Sequence, residues 1–310
     1  MDNELGYLDV LAARKAFAEG RNVTEVLRRQ KNVTSNTPDI IEAAYELQAG
    51  SYIDYLERNP GPTLTYAAEA AALLDAQLAP GASLLDVGSG ELTTLSLIVG
   101  KLTRKPSRLY AFDISWSRLY RGLSYARTHM GEDFDKLSAF VADMSHTPLG
   151  DKSVDVTTSS HALEPNGERL PELLAELFRV TADKLVLFEP CHEIASPEGQ
   201  ARMERLGYIR GMEEAVVRLG GTLLSRTTIR NPVNPLNPTA CFVIKPPGAA
   251  PARRPAGGEG FCAPGSNHPL ERIDDFYFSN ETGLCFPVLK SIPLLKRKCA
   301  IMASALCSSP

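Results

Sequence analysis

Residues 84–94 read Leu-Leu-Asp-Val-Gly-Ser-Gly-Glu-Leu-Thr-Thr, and the reading of this stretch decides the fold. Leu84, Leu85 and Val87 form a short apolar run of the kind that becomes a buried strand. Gly88, Ser89 and Gly90 supply a tight turn, and Thr93 to Val99 open a helix whose free N–H groups face a ligand. An acid (Asp86) followed by glycines that let a ligand reach the backbone is what a nucleoside site at the tip of a parallel strand requires.

Working outward, apolar runs alternate with helical patterns from Ser83 to Lys245, the signature of a parallel sheet. Strands are expected at Ser83–Val87, Arg108–Asp113, Ala139–Ala142, Val154–Ser159, Lys184–Glu189, Gly221–Arg230 and Ala240–Lys245. Pro232, Pro235 and Pro238 exclude regular pairing between the last two, which then form a long-looped antiparallel hairpin. Upstream, helical spacing covers Leu8 to Arg29 with a break at Gly20, then Pro38 to Gln48, then Tyr66 to Leu78. Downstream, Pro246 to Gly260 is rich in glycine and proline and reads as a linker. The expectation is an α/β chain: a doubly wound, Rossmann-like seven-stranded sheet over 81–246, a helical cap or lid over 1–80, a linker over 247–260 and a small β-rich unit over 261–310.

The 310 residues carry 33 Lys and Arg against 37 Asp and Glu, a net charge of −4, so nothing draws the chain to phosphate backbones and nucleic acid is disfavoured as a partner. No apolar stretch at the start is long enough for a signal peptide or a membrane span, and a cytoplasmic protein is expected. Six scattered cysteines suggest reduced thiols, not a disulfide framework. The Asn-Val-Thr sequons at Asn22 and Asn32 then carry no weight.

Three strand ends follow in order: Asp86 with Gly88 and Gly90, then Asp113, then Asp143 with Met144. Asp113 is placed to accept hydrogen bonds from both hydroxyls of a ribose. Asp143 can bond an adenine amine, and the polarisable Met144 can lie on a purine face. There is no Gly-Lys-Ser/Thr run, and Glu91 stands where a pyrophosphate prefers glycine, so a cofactor that bears a cation fits better. Residue chemistry alone admits any adenine nucleoside.

On these motifs, with Ala111-Phe112-Asp113-Ile114-Ser115 and the run from Ala142 to Val156, the chain resembles the class I S-adenosylmethionine-dependent methyltransferases over roughly half its length. The resemblance implies that Gly88 and Gly90 pass close to the methionine portion of S-adenosyl-L-methionine, that Asp113 holds the ribose, and that Asp143 with Met144 holds the adenine. Tyr52, Asp86, Ile114 and Ser160 complete the expected cofactor set. Leu92 departs from the pattern, in which many members have a third glycine.

Methyl transfer from a sulfonium is an in-line displacement, so a hydroxyl acceptor must be aligned, kept dry and relieved of its proton. The fourth strand runs into Ser160, His161, Glu164 and Asn166, and the fifth ends in Glu189, Cys191, His192 and Glu193. His161 is the first choice of general base and His192 the second. Glu164, Asn166, Glu189 and Glu193 are expected to bind the acceptor, or else a hard divalent ion, the less favoured reading. Tyr45, Gln48, Ser51 and Tyr52 precede the sheet; in similar enzymes this segment folds over the cofactor as a lid, bringing tyrosines toward the methionine carboxylate or the acceptor. Arg202, Arg205, Tyr208 and Arg210 present a charged face that either grips an anionic acceptor or is merely solvated. The Asn234–Thr239 loop is expected to close a further wall. No Asn-Pro-Pro-Tyr-like run is present, which argues against methylation of amino groups on bases or glutamine.

The last segment resembles small zinc-ribbon-like proteins that activate tRNA and protein methyltransferases, chiefly through Gly-Leu-Cys-Phe-Pro-Val-Leu-Lys-Ser-Ile-Pro at 283–293. A zinc ribbon needs paired ligands, commonly Cys-x-x-Cys, and Cys262 has no such partner in the sequence. A metal-free unit held by Phe276, Phe278, Phe286 and Leu289 is expected, serving packing, dimerisation or acceptor coverage. The whole reading is an enzyme that O-methylates a small polar metabolite, natural-product intermediate or glycan sugar. Its alternatives are a tRNA or protein methyltransferase with a fused activator, or a cofactor-binding regulator without chemistry; a homodimer is left open.

Overall fold

The computed structural model describes residues 6–252 and 259–307. The middle of the expected linker, 253–258, lies outside the described residues.

Five helices precede the sheet: α1 (Tyr7–Ala18), α2 (Val23–Lys31), α3 (Pro38–Leu47), α4 (Ser51–Arg58) and α5 (Pro60–Asp75). Each of α2 and α3 starts at a side-chain cap, Asn22 and Thr37, whose oxygen accepts the N–H of Glu25 and Ile40. The first three share a small core of Ala13, Ala16, Val23, Leu27, Ile40 and Ala44. Helix α4 was not anticipated, and α5 starts six residues before the expected Tyr66. Pro60 reads as a breaker, yet in the first turn of a helix a proline gives up an N–H that has no partner anyway.

The alternating region then builds β1 (Ser83–Val87), α6 (Thr93–Lys101), β2 (Arg108–Asp113), α7 (Trp116–Met130), β3 (Leu137–Val141), β4 (Val154–Ser160), α8 (Leu170–Val180), β5 (Thr181–Pro190), α9 (Pro197–Leu206), α10 (Met212–Arg218), β6 (Thr222–Thr228) and β7 (Thr239–Lys245). The seven strands form one sheet in the order β3-β2-β1-β4-β5-β7-β6. Strands β1 to β5 are parallel; β7 runs antiparallel to both β5 and β6, which is the expected hairpin. The order reverses between β1 and β4, so the carboxyl ends of these two strands open a crevice there. Alanines of α5 let that helix sit close on one face, with Tyr66 and Leu74 packed among Leu84, Leu95 and Val99.

A second, antiparallel sheet follows: β8 (Glu271–Ile273), β9 (Phe276–Ser279), β10 (Leu284–Leu289), β11 (Ile292–Pro293) and β12 (Ile301–Met302). It is separate in its hydrogen bonding but not in its core. Phe261, Tyr277, Phe286 and Leu295 are buried in one cluster with Val87, Phe112 and Phe140, and Phe261 meets the Phe140 ring edge-on at 4.9 Å. Phe278 and Phe286 are buried as expected, but Leu289 is exposed. Its backbone turns outward at Lys290 and Ser291, both at positive φ.

Leu294 bridges Val141 in parallel, and the Leu295 N–H donates to the Val141 carbonyl at 2.8 Å, so the C-terminal segment covers the free edge of β3. Among the described residues no three His, Cys, Asp or Glu side chains come together as a metal site, and no helix is long and apolar enough to cross a membrane.

Candidate active site

The glycine turn is built by collision avoidance. Gly88 has φ 65°, and a Cβ there would strike the Ala162 methyl; Gly90 has φ 54°, and a Cβ there would strike the Arg118 guanidinium. The next residue in this conformation is Leu92, at φ 56° and fully buried, where the family pattern has its third glycine. The turn thus keeps the left-handed geometry at a strain of about 1–2 kcal/mol, offset by burial of the leucine side chain.

Asp113 ends β2 and closes this turn. Its Oδ2 accepts the Gly90 N–H at 2.8 Å and its Oδ1 the Ser115 N–H at 2.9 Å. Asp143 is fixed in the same manner, through Oδ1, by the N–H and hydroxyl of Ser145, both at 2.9 Å. Burial, reinforced by the charges of Asp113 and Glu189, pushes the Asp86 carboxyl up to about 7.

Two crevices meet at the carboxyl edge of the sheet. The first is lined by Tyr45, Tyr52, Asp86, Gly88, Asp113, Ile114, Asp143, Met144, Ser160, His161 and Asn166, all expected from the sequence, together with Glu91 and Arg118. Gly90 lies behind this wall. The second is lined by Tyr52, Tyr55, Tyr66, Ser160, His161, Glu164, Arg202, Tyr208, Asn234 and Asn237, so the Asn234–Thr239 loop does form one side. Tyr52, Thr93, Thr94, Ser160 and His161 face both.

His161 follows β4 in a left-handed conformation, φ 56°. Its Nδ1 lies 2.9 Å from Glu164 Oε2, and its Nε2 lies 2.9 Å from the Thr239 hydroxyl, whose one hydrogen is shared between Nε2 and the Asn237 carbonyl 3.2 Å away. Tyr66 packs against the imidazole edge-on at 6.0 Å and joins its hydroxyl to Ser160 at 2.7 Å. Burial disfavours the imidazolium, but the hydrogen bond and charge of Glu164, with Glu189, outweigh it and raise the His161 pKa above its ordinary value.

Besides Gly90, the expected site residues Gln48, Glu189, His192 and Glu193 stand outside both crevices. Glu189 is fully buried beneath the loop after β4: its Oε1 accepts the Ser159 hydroxyl at 2.7 Å and the N–H groups of Ala162 and Leu163 at 3.1 Å. Burial raises its carboxyl to about 7. His192 faces Glu204, 3.2 Å away, and Glu193 accepts the Gly211 N–H at 2.8 Å. Gln48 lies at the C-terminus of α3, its carbonyl accepting the Ser51 N–H. Glu189 lies inside β5 and serves the loop after β4 from below, whereas Gln48, His192 and Glu193 follow the ends of α3 and β5 and lie outside both crevices.

Arg118 escaped sequence reasoning, and Glu91, read from the sequence only as unsuited to a pyrophosphate, has a structural part as well. Glu91, 1 % exposed, accepts the N–H of Gly50 at 2.9 Å through Oε1 and that of Ile53 at 2.9 Å through Oε2, capping α4. Arg118 is buried between the rings of Tyr45 and Tyr52, its Cζ 4.7 Å from each centroid. The departure from glycine to acid at position 91 was a visible signal; nothing in the spacing marked Arg118.

This crevice is set at the topological switch point of a parallel sheet, where such sheets hold their ligands, and is walled by three acidic strand ends. Residues 85–187 match the family model described as a methyltransferase domain, which places this stretch in the methyltransferase class. S-adenosylmethionine is the cofactor of that class. Similar solved structures include a chain of the Haloferax volcanii complex between the Trm112 methyltransferase activator and a methyltransferase. It is 19 % identical, covers 59 % of this chain and 90 % of that one, and has a TM-score of 0.47. Geranyl diphosphate C-methyltransferase from Streptomyces coelicolor is 13 % identical over 57 % and 76 % of the two chains, at 0.46. Magnesium protoporphyrin IX methyltransferase from Synechocystis is 14 % identical over 76 % and 99 %, at 0.44. No curated protein matches the chain.

Proposed function

We propose that the domain methylates an oxygen of a small polar acceptor held in the second crevice, with His161 as general base. The residues of the first crevice suit S-adenosylmethionine: glycine backbone at Gly88 with no room for a Cβ, the acids Asp86, Asp113 and Asp143, and Met144 beside them. When bound, the cofactor supplies an electrophilic methyl group on a sulfonium. Asp113 would hold the ribose hydroxyls, and Asp143 with Met144 the adenine. The acids favour a cationic ligand over a phosphate.

The observation that carries the reading is the position of His161 on the wall shared by both crevices, with Glu164 on its far nitrogen. A carboxylate that fixes Nδ1–H leaves Nε2 as the basic nitrogen, the arrangement in which an imidazole takes a hydroxyl proton. Thr239 occupies Nε2 here, and an acceptor hydroxyl would take its place. Tyr52, Tyr55, Tyr66 and Tyr208 give the second crevice an aromatic lining, while Arg202 and Asn237 offer polar contacts.

Methyl-labelled S-adenosylmethionine incubated with the full chain and fractionated cell extract tests this. Label in the small-molecule fraction, lost in the His161→Ala variant with cofactor affinity kept, is the expected result. Label in tRNA or protein overturns the acceptor class, and unaltered turnover in the variant overturns the base.

A further inference from the structure

The first crevice contains a buried cation whose donors the protein does not satisfy. Arg118 is 8 % exposed, and its Nε is buried without a hydrogen-bond partner among the described residues. The nearest carboxylate, Asp113, stands 3.7 Å from Nη1, beyond hydrogen-bond length, and its two oxygens already serve the amides of Gly90 and Ser115. The Glu91 carboxylate is likewise engaged by the amides that open α4. Tyr45 and Tyr52 hold the guanidinium plane between them, so its orientation is set before any ligand arrives.

We propose that Arg118 is the receptor for the carboxylate of the cofactor's methionine portion. The inference deepens the cofactor reading of this crevice and rests on it. A planar guanidinium with free donors matches a carboxylate through two parallel hydrogen bonds. Among the parts of S-adenosylmethionine the adenine and ribose are neutral and the sulfonium and ammonium are cations, which leaves the carboxylate as the one anion. The surroundings restrict the anion further: Asp86, Glu91, Asp113 and Asp143 line the same crevice and repel a multiply charged phosphate. The adjoining Tyr52 lies on α4, so a carboxylate on Arg118 would also hold the lid against the glycine turn.

Calorimetry on the full chain with two ligands tests the assignment: S-adenosylhomocysteine, which has the amino-acid portion, and 5′-methylthioadenosine, which lacks it. Arg118→Met should weaken S-adenosylhomocysteine by about tenfold or more and leave 5′-methylthioadenosine within about twofold, since a charge-assisted pair is lost from one ligand alone. Arg118→Lys, which keeps the charge and loses the fork, should fall between. Equal weakening of both ligands, or of neither, overturns the proposal. Should Arg118→Met fail to fold, the lysine variant and the wild-type preference for S-adenosylhomocysteine over its decarboxylated analogue give the same readout, and an absent preference overturns it. Wild-type protein that binds neither adenosine ligand would instead refute the cofactor reading itself.

Discussion

Glu91 Oε1 accepts the backbone N–H of Gly50 at 2.9 Å, which ties the glycine turn after β1 to the first turn of helix α4, the proposed lid. The same carboxylate takes the Ile53 N–H through its other oxygen, so one side chain satisfies amides that no helix can satisfy internally. Glu91→Ala should therefore destabilise the lid by about 1–3 kcal/mol, the range for leaving buried donors unpaired. Hydrogen exchange should speed up at Gly50 to Ile53 ahead of the sheet. Unchanged exchange there would show that the cap does not hold the lid.

Gly88→Ala places a methyl against Ala162 in a left-handed backbone conformation. Steric overlap and strain together should lower stability by about 1–4 kcal/mol and remove cofactor binding, because the loop must shift into the crevice. Chemical denaturation and calorimetry check the two effects separately. A variant that binds S-adenosylhomocysteine normally would contradict the close backbone approach.

The Glu164 partnership raises the His161 pKa above 6.5. That partnership stabilises the fold fully below pH 6.5 and fades as pH rises through the elevated folded value. Catalysis runs the other way, since a base must be neutral, so kcat/KM should climb with pH through a limb above 6.5. Glu164→Gln removes a cause of the elevation and should move that limb to lower pH. A wild-type limb at or below 6.5, or one that Glu164→Gln leaves in place, would exclude His161 as the titrating group.

Lys296, just after β11, is 6 % exposed and reaches Glu42 on α3, 2.7 Å away, and the Ile114 carbonyl in the first crevice, 3.2 Å away. Lys296→Met should cost about 1–3 kcal/mol through the half-buried Glu42 and Ile114 contacts it gives up. Since Ile114 adjoins Asp113, proposed to hold the ribose, cofactor affinity should fall as well. Thermal melts with and without S-adenosylhomocysteine separate the two, and an undiminished ligand-induced shift would confine Lys296 to stability.

Asp113→Ala should weaken cofactor binding by about 1–3 kcal/mol, the value of a charged acceptor. Asp113→Asn, which keeps the shape, should lose less. Equal affinities for the three proteins by calorimetry would remove the ribose assignment.

Much of the frame was readable because parallel strands are buried on both faces and announce themselves as apolar runs; β1 and β2 coincide with their expected limits, and the others fall within a few residues. Helix α4 was not readable, since its N-terminus is completed by Glu91, 41 residues beyond Gly50, and no local cap marks it. The eventual neighbours of the β4 loop were likewise hidden. His161 and Glu164 are three residues apart and could be paired on paper, whereas Thr239 arrives from a strand 78 residues away.

The chain by itself determined which strand tips carry the glycine turn and the acids of the proposed nucleoside site, because glycine turns and strand-end acids act through the backbone conformation of their own segment. Only the tertiary structure decided which charges share the crevice. It brought Arg118 between two tyrosines of the lid, set Glu189 beneath the floor and turned His192 away. Burial and charge pairing depend on which distant segments are pressed together, and local sequence spacing carries no record of that.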